Sequence, residues 1–388
     1  MNEERRLRGG TAIVGVAESD LGEVGPGVTA LDLAAQAAGG ALDDAGLTIG
    51  DVDGLFCHSA FFPMPTVVVA EHLGVRPRHS DSTATGGSSF VAYLRHAAAA
   101  IAAGLCDVAL IVYGSTQRSS SGGLISSGNS FLPSYETPFR PRLPVSAYAL
   151  AAARHMHEFG TTREHLAEVA VAARRWAQLN PAAFARDDLS VQDVLASRMV
   201  SSPLTVRDCC LVTDGGGAVV VTSAERARDL RRAPVYYLGG AEAHEHMNIS
   251  QMHDLTVTAA ARTGRRAFEL AGLRPADVDV VQLYDAFTIN VLLFLEDLGF
   301  CAKGEAGDFV SGGGIAPGGR LPVNTNGGGL SYCHPGMYGI FLVIEATRQL
   351  RGEAGARQVA DAHVALVHGN GGMLSSQVTA LLGDASVV

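Results

Sequence analysis

Apolar and polar positions alternate along this chain between two periods, one of strands and one of helices, and the alternation repeats. TAIVGVAES (11–19) has the short β-branched run of a strand that enters a polar turn. TALDLAAQAAGGALDDAGL (29–47) carries helical apolar spacing and ends at Gly46, a residue suited to a left-handed C-cap. VDGLFCHSA predicts a second strand, SSFVAYLRHAAAAIAAG (88–104) a helix, and VALIVYGS (108–115) a buried strand. The order then returns: VYYLGGAEA (235–243) echoes AIVGVAES at an offset of 224, and LAGLRPADVDVV (270–281) echoes DAGLTIGDVDGL at 226. GMYGIFLVIEATRQLRG (336–352) takes the place of helix 88–104, and HVALVHGNGG (363–372) echoes the buried strand at an offset of 256. Four elements in one order indicate two copies of a βαβ-rich half.

Duplication says where a ligand should lie. In parallel sheets the loops after strand ends, with the helix starts they lead into, form the binding crevice. DSTATGGSS (81–89) and NTNGGGLSYCHPG (324–336) are the corresponding loops of the two halves, with HGNGG close by. A pseudo-two-fold axis makes them face each other. Between the halves, from about 117 to 225, lies an insertion-like region. It opens with QRSSSGGLISSGNSFLPS, which reads as a mobile lid, and continues through two helices. The second, TTREHLAEVAVAARRWAQL, opens with a Thr-x-x-Glu pattern resembling a capping box. Insertions over the active face commonly supply substrate contacts, and that role is expected here. The divisions expected are 1–116 plus 203–230 for the first half, 117–202 for the insertion and 231–388 for the second half.

Composition narrows the class. Of 388 residues 47% are apolar and 18% charged, enough for a large core, and 46 glycines fit many tight turns and close backbone approaches. The net charge of -10, without a long basic cluster, argues against nucleic acid. MNEERRLRGG lacks the apolar core of a secretory signal, and no apolar stretch is long enough to span a bilayer. The six cysteines follow no zinc spacing, so no metal is expected; they read as reduced, mostly structural thiols in a cytoplasmic protein.

With these features in hand, the chain resembles the thiolase superfamily, in the branch of sterol-carrier-protein-type and lipid-transfer thiolase-like proteins. The ordered set HMHEFGTTREHLAEVAV, NPAAFARDDLSVQDVLASRMVSSPL, DGGGAVVVTS, YDAFT, NGGGLSYCHPG and HGNGGMLSS carries the resemblance over almost the whole chain. It implies an α/β thiolase-like fold of two duplicated βαβαβαββ halves in five layers (α/β/α/β/α) with an inserted lid region. A homodimer is implied as well.

Four family loops carry over residue by residue. The nucleophilic cysteine at the start of the first-half helix falls at or next to Gly87, where no cysteine stands. The second loop reads Tyr284-Asp285-Ala286-Phe287, the third keeps Cys333-His334-Pro335, and His368 replaces the acid/base cysteine of the fourth. Without the usual acyl-enzyme nucleophile, ordinary ping-pong thiolysis has no obvious route. The pattern resembles the steroid side-chain aldolases, which cleave β-hydroxyacyl-CoA by retro-aldol together with a small OB-fold DUF35-type partner. One departure is His334, where that group tends to carry tyrosine.

The resemblance therefore implies carbon–carbon bond cleavage or formation on a CoA thioester, with Tyr284, His334, His368 and Cys333 as catalytic candidates. Gly86, Gly87, Ser88, Asn326 and Gly369 are the substrate and CoA contacts, CoA being part of the substrate and not a bound cofactor. Tyr284 or His368 would take the β-hydroxyl proton, and His334 with a backbone N–H would stabilise the enolate oxygen. The alternatives are an acetyl-CoA acetyltransferase-like thiolase acting through Cys333, or a non-catalytic acyl-CoA or lipid carrier subunit. Bland readings stand beside these: a satisfied buried tyrosine at 284, a core histidine at 368, a buried thiol at 333 and a positive-φ turn at 86–87. Asp285 is expected to fix its loop through backbone hydrogen bonds, and Asp208 and Asp214 read as solvated loop residues.

Overall fold

A computed structural model describes residues 7–121 and 136–388 of the chain. The glycine-serine stretch expected to act as a lid lies, from residue 122 onward, outside the described residues. Eleven strands are described: β1 (Thr11–Glu18), β2 (Gly54–Cys57), β3 (His79–Asp81), β4 (Val108–Ser115), β5 (Met199–Ser201), β6 (Leu204–Thr205), β7 (Gly215–Ser223), β8 (Val235–His244), β9 (Val280–Leu283), β10 (Val364–Gly371) and β11 (Ser376–Gly383).

Nine of them form one sheet in the order β3-β2-β4-β7-β1-β8-β11-β10-β9, while β5 and β6 make a separate hairpin-like pair. The duplication is visible in that order. β2 runs parallel to β4, which lies antiparallel to β7, which lies antiparallel to β1. Likewise β9 runs parallel to β10, which lies antiparallel to β11, which lies antiparallel to β8. A parallel bridge from Val281 to Val323 stands where β3 stands in the first half. Within the sheet the halves meet where β1 pairs with β8, at Ala12–Tyr236 and Ile13–Val235.

Helices Ser89–Ala102 and Gly339–Leu350 touch strands of both halves and each other, so they form the central layer. Gly339–Leu350 is buried along almost its whole length, as a helix between the two halves of the sheet must be. Ala30–Ala45 covers β1, β4 and β7 from outside, and Ala260–Ala271 covers β8 and β11. The result is the five-layer α/β/α/β/α arrangement. Gly46 closes its helix at φ 72°, the left-handed C-cap expected of it.

Two local expectations are corrected. The helix Arg163–Gln178 is capped by Thr162, with His165 at its third position, and not by Thr161 with Glu164. The Thr161 hydroxyl is taken by His155 Nδ1 at 2.7 Å. Asp208 and Asp214 are buried, not solvated. Asp208 accepts from Thr205 N at 2.8 Å and Thr288 Oγ1 at 2.9 Å, while Asp214 accepts from the N–H groups of Val24, Arg118 and Ser119. Among the described residues no helix is long and apolar enough to cross a membrane.

Candidate active site

The loops that follow equivalent strands converge on a cavity of about 640 Å³. Gly86 and Gly87 enter from the first half, Tyr284 and His334 from the second, and Gly371 and Gly372 from the end of β10. Gly87 is a glycine because of Tyr284. A Cβ there would lie 2.0 Å from Tyr284 Cε2 and 2.6 Å from its hydroxyl oxygen, so no side chain fits. The ring of Tyr284 thus stands in the space that a nucleophile at this position would need.

Tyr284 is only 4% exposed, and burial raises its phenol well above the ordinary value, so it keeps its proton. Its oxygen accepts from Tyr338 N at 3.0 Å, while among the described residues its own proton has only the distant Gly336 carbonyl at 3.4 Å. That proton is available to a ligand. Tyr338 in turn donates to Asn326 Oδ1 at 2.9 Å, which ties the phenol to the glycine loop.

The His334 ring lies edge-on to Tyr284, with centroids 5.6 Å apart. Neither of its nitrogens has a hydrogen-bond partner among the described residues, although the ring is 3% exposed. Burial pushes it down to about 4, so the ring is neutral at pH 7, with one nitrogen to donate and one to accept. Two unpaired nitrogens buried beside a cavity are a costly arrangement unless a ligand completes them.

Asp285 supports both groups from behind, as expected for a loop-fixing residue. Its carboxyl accepts from Gly329 N at 2.6 Å and Leu330 N at 3.3 Å, linking the Tyr284 loop to the NGGG turn that leads to His334. A Cβ at Gly328 would lie 2.0 Å from Asp285 Oδ2, which explains that glycine. The glycine run therefore approaches a carboxylate of the chain itself.

Other expected site residues stand elsewhere. His368 does not line the cavity: its ring packs edge-on against Phe294 and is bonded on both sides, to Thr379 Oγ1 and Gln377 Oε1, each at 2.9 Å. Cys333 is fully buried in extended backbone beside His334, does not line the cavity, and burial raises its thiol well above the ordinary value. Adjacent residues of an extended segment point apart, so one faces the cavity and the other the core. Ser88 bonds Ser376 at 2.7 Å and the Thr85 carbonyl at 2.7 Å; Gly369 makes room for Val91 and Ser88; Asn326 braces the loop. These three are packing and bracing residues, not cavity walls.

The cavity also has walls that sequence reasoning did not assign. Tyr148, Asn370, Cys209 and Cys210 line it, with Arg142 and Arg198 exposed at its edge. Burial pushes the Cys209 thiol up to about 12 and Cys210 well above the ordinary value, so neither is a ready thiolate. Cys209-Cys210 was conspicuous only as an adjacent pair, and Tyr148 sits in a helix whose periodicity reads as core.

A family profile described as "Thiolase C-terminal domain-like" matches residues 241–384. The "17-hydroxy-3-oxo-4-pregnene-20-carboxyl-CoA lyase" of Mycobacterium tuberculosis is 38% identical over 389 residues, covering 94% of this chain and 97% of that protein. This chain belongs to the thiolase superfamily. Within it, an "Acetyl-CoA acetyltransferase" of Methanothermobacter thermautotrophicus is 34% identical, covering 93% of this chain and 96% of that one. The solved structure titled "Ltp2-ChsH2(DUF35) aldolase" superposes with a TM-score of 0.89 at 34% identity, covering 97% of this chain and 98% of its counterpart. In this thiolase-like chain the superfamily's architecture is kept, and a side chain at position 87 would collide with the Tyr284 ring.

Proposed function

We propose that this protein cleaves, or in reverse forms, the Cα–Cβ bond of a β-hydroxyacyl-CoA by a retro-aldol step without a covalent acyl-enzyme. The observation that carries this reading is the Tyr284 ring in the space a residue-87 nucleophile would need. Similarity to a steroid-CoA lyase and to a DUF35-containing aldolase supports it.

The roles follow from protonation and hydrogen bonding. Neutral His334 takes the proton of the β-hydroxyl on its free nitrogen. The Cα–Cβ bond breaks, the carbonyl product forms, and its electron pair passes to the thioester as an enolate. The Tyr284 hydroxyl donates to the enolate oxygen, and the proton on His334 returns to Cα. This reverses the assignment made from sequence. Tyr284 is held protonated with its oxygen already accepting from Tyr338, and His368 is engaged at both nitrogens, so neither suits the proton acceptor's part. Arg142 and Arg198 at the cavity edge suit the CoA phosphates. We further place the chain in the cytoplasm as a homodimer acting with an OB-fold DUF35-type partner.

A donor aimed at developing charge contributes about 3–4 kcal/mol, so Tyr284→Phe, which keeps the ring, is expected to lower kcat by about a hundredfold or more. His334→Ala should lose at least as much, with acyl-CoA affinity retained in both variants. Steady-state cleavage of a β-hydroxyacyl-CoA by the co-expressed complex measures this; full activity in Tyr284→Phe would remove the assignment.

A further inference from the structure

Among the described residues no other residue bonds either nitrogen of the His334 ring, so no hydrogen bond to the ring aims it. Its direction comes from the rings around it and from the backbone that carries it. Tyr284 stands edge-on at 5.6 Å and Tyr338 is stacked at 6.0 Å. The backbone is held by the segment that leads into β7. His334 N donates to Thr213 Oγ1 at 3.0 Å, and Thr213 N donates back to the His334 carbonyl at 3.3 Å. One residue on, the hydroxyl of Tyr113, in β4, donates to the Pro335 carbonyl at 2.5 Å.

The segment 209–214 runs beside both catalytic loops. Cys210 N donates to the Ala286 carbonyl at 2.8 Å, two residues from Tyr284, and Leu211 N donates to the Gly329 carbonyl at 2.9 Å, in the turn that leads to His334. Asp214 fixes the far end by accepting from the N–H groups of Val24, Arg118 and Ser119. The bonds of Cys210 and Leu211 join main chain to main chain and ask for no particular side chain. At His334 the acceptor is a side-chain oxygen, and there the residue type matters. Thr213 is fully buried, so a valine in its place would leave the His334 N–H without its acceptor and without water to replace it.

We infer that Thr213 is a positioning residue for the reaction: its hydroxyl fixes the main chain of His334 and so sets the reach of the imidazole to the β-hydroxyl. Thr213 does not line the cavity, so it acts through His334 and does not meet the substrate. A proton acceptor must lie within hydrogen-bond reach of the proton it takes, and a misplacement of about 1 Å costs up to about a hundredfold in rate. The assignment rests on reading His334 as the proton acceptor of a β-hydroxyacyl-CoA lyase.

The test compares Thr213→Val, which keeps the branched shape and removes the acceptor, with Thr213→Ser, which keeps the acceptor. In the co-expressed complex Thr213→Val is expected to lower kcat for a β-hydroxyacyl-CoA by about tenfold or more at unchanged KM, and Thr213→Ser to retain wild-type kcat. A second readout needs no turnover. In intact protein carrying carbon-13 at histidine Cε1, the NMR signal of His334 is the one absent from His334→Ala. Lying between two tyrosine rings, it carries their ring-current shifts, and it should move in Thr213→Val and hold its place in Thr213→Ser. Urea midpoints check folding, and Thr213→Ala, which also lacks the hydroxyl, carries the same expectation if the valine variant does not fold. Failure of both to fold makes Thr213 merely structural and overturns the inference. An unmoved signal, an unaltered kcat, or a loss that serine shares also overturns it, and cleavage by wild type then leaves the lyase reading standing. A signal that follows the hydroxyl in a protein that cleaves no β-hydroxyacyl-CoA does the reverse: the lyase reading falls and the hold of Thr213 on His334 stands.

Discussion

Directly after Tyr284 comes a carboxyl group with no exposed surface, and burial outweighs its two N–H donors to push Asp285 up to about 7. Its ordinary value is 3.8, so between about pH 4 and 7 the native state holds a proton that the unfolded chain has lost. Stability contributed by this group is present below that window and is lost as pH rises through it. Asp285→Asn cannot ionise and still offers one acceptor, so urea unfolding at pH 4.5 and 7.5 should show a smaller loss of stability with pH than in wild type. An identical slope would mean that Asp285 is ionised throughout. At this scale the sequence was readable wherever a residue type made no sense as packing. His334 between glycines and proline is the clearest case, and Asp285 as a loop brace another. His368 was misread because a histidine at a strand end looks the same whether its ring meets a cavity or a buried threonine and glutamine. Tyr148 was missed for the opposite reason, since an aromatic residue among helical alanines looks like core. Asp208 and Asp214 were misread because acidic residues in polar stretches give no sign of the backbone N–H groups that pair them.

The turn Gly328–Tyr332 is a wide, π-helical one, entered from Gly327 at φ 107°. It carries His334 toward the cavity, and Asp285 anchors its first N–H groups. Gly328 itself has φ 64°, and a Cβ there would collide with Asp285 Oδ2. Gly328→Ala should therefore cost about 1–2 kcal/mol for the left-handed backbone alone, with the displaced carboxylate adding to it. The expected outcome is a lower urea midpoint together with a fall in kcat, because the strain is relieved by moving the turn that positions His334. A destabilised variant with unaltered kcat would show that the turn and the histidine are not coupled. Most elements were legible from period alone, as the strands at 11–18, 108–115 and 235–244 and the helices between them show. The helix at 163 was predicted one residue too early at its cap. Thr161 and Thr162 are equivalent in sequence, and only the tertiary bond from His155 to Thr161 separates them.

For the molecule as a whole, duplication is the organising fact, and offsets of 224 to 256 residues between matching segments disclosed it before any coordinates. The equivalent strand orders on either side of the β1–β8 junction follow from it. Two glycine-rich loops facing one crevice could also be inferred, because equivalent strand ends bring equivalent loops together. What could not be inferred is the fit within the crevice, since Gly87 and Tyr284 are 197 residues apart and their exclusion of each other exists only in three dimensions. That exclusion leads to the central claim, turnover without an acyl-enzyme. Intact-protein mass spectrometry during turnover of a β-hydroxyacyl-CoA by the partner complex, with a β-ketoacyl-CoA in parallel, tests it most directly. The account predicts an unmodified chain with both esters while acyl-CoA and a carbonyl product accumulate from the first. A mass increase of one acyl group, discharged by added CoA and mapped to Cys209, Cys210 or Cys333, would contradict it.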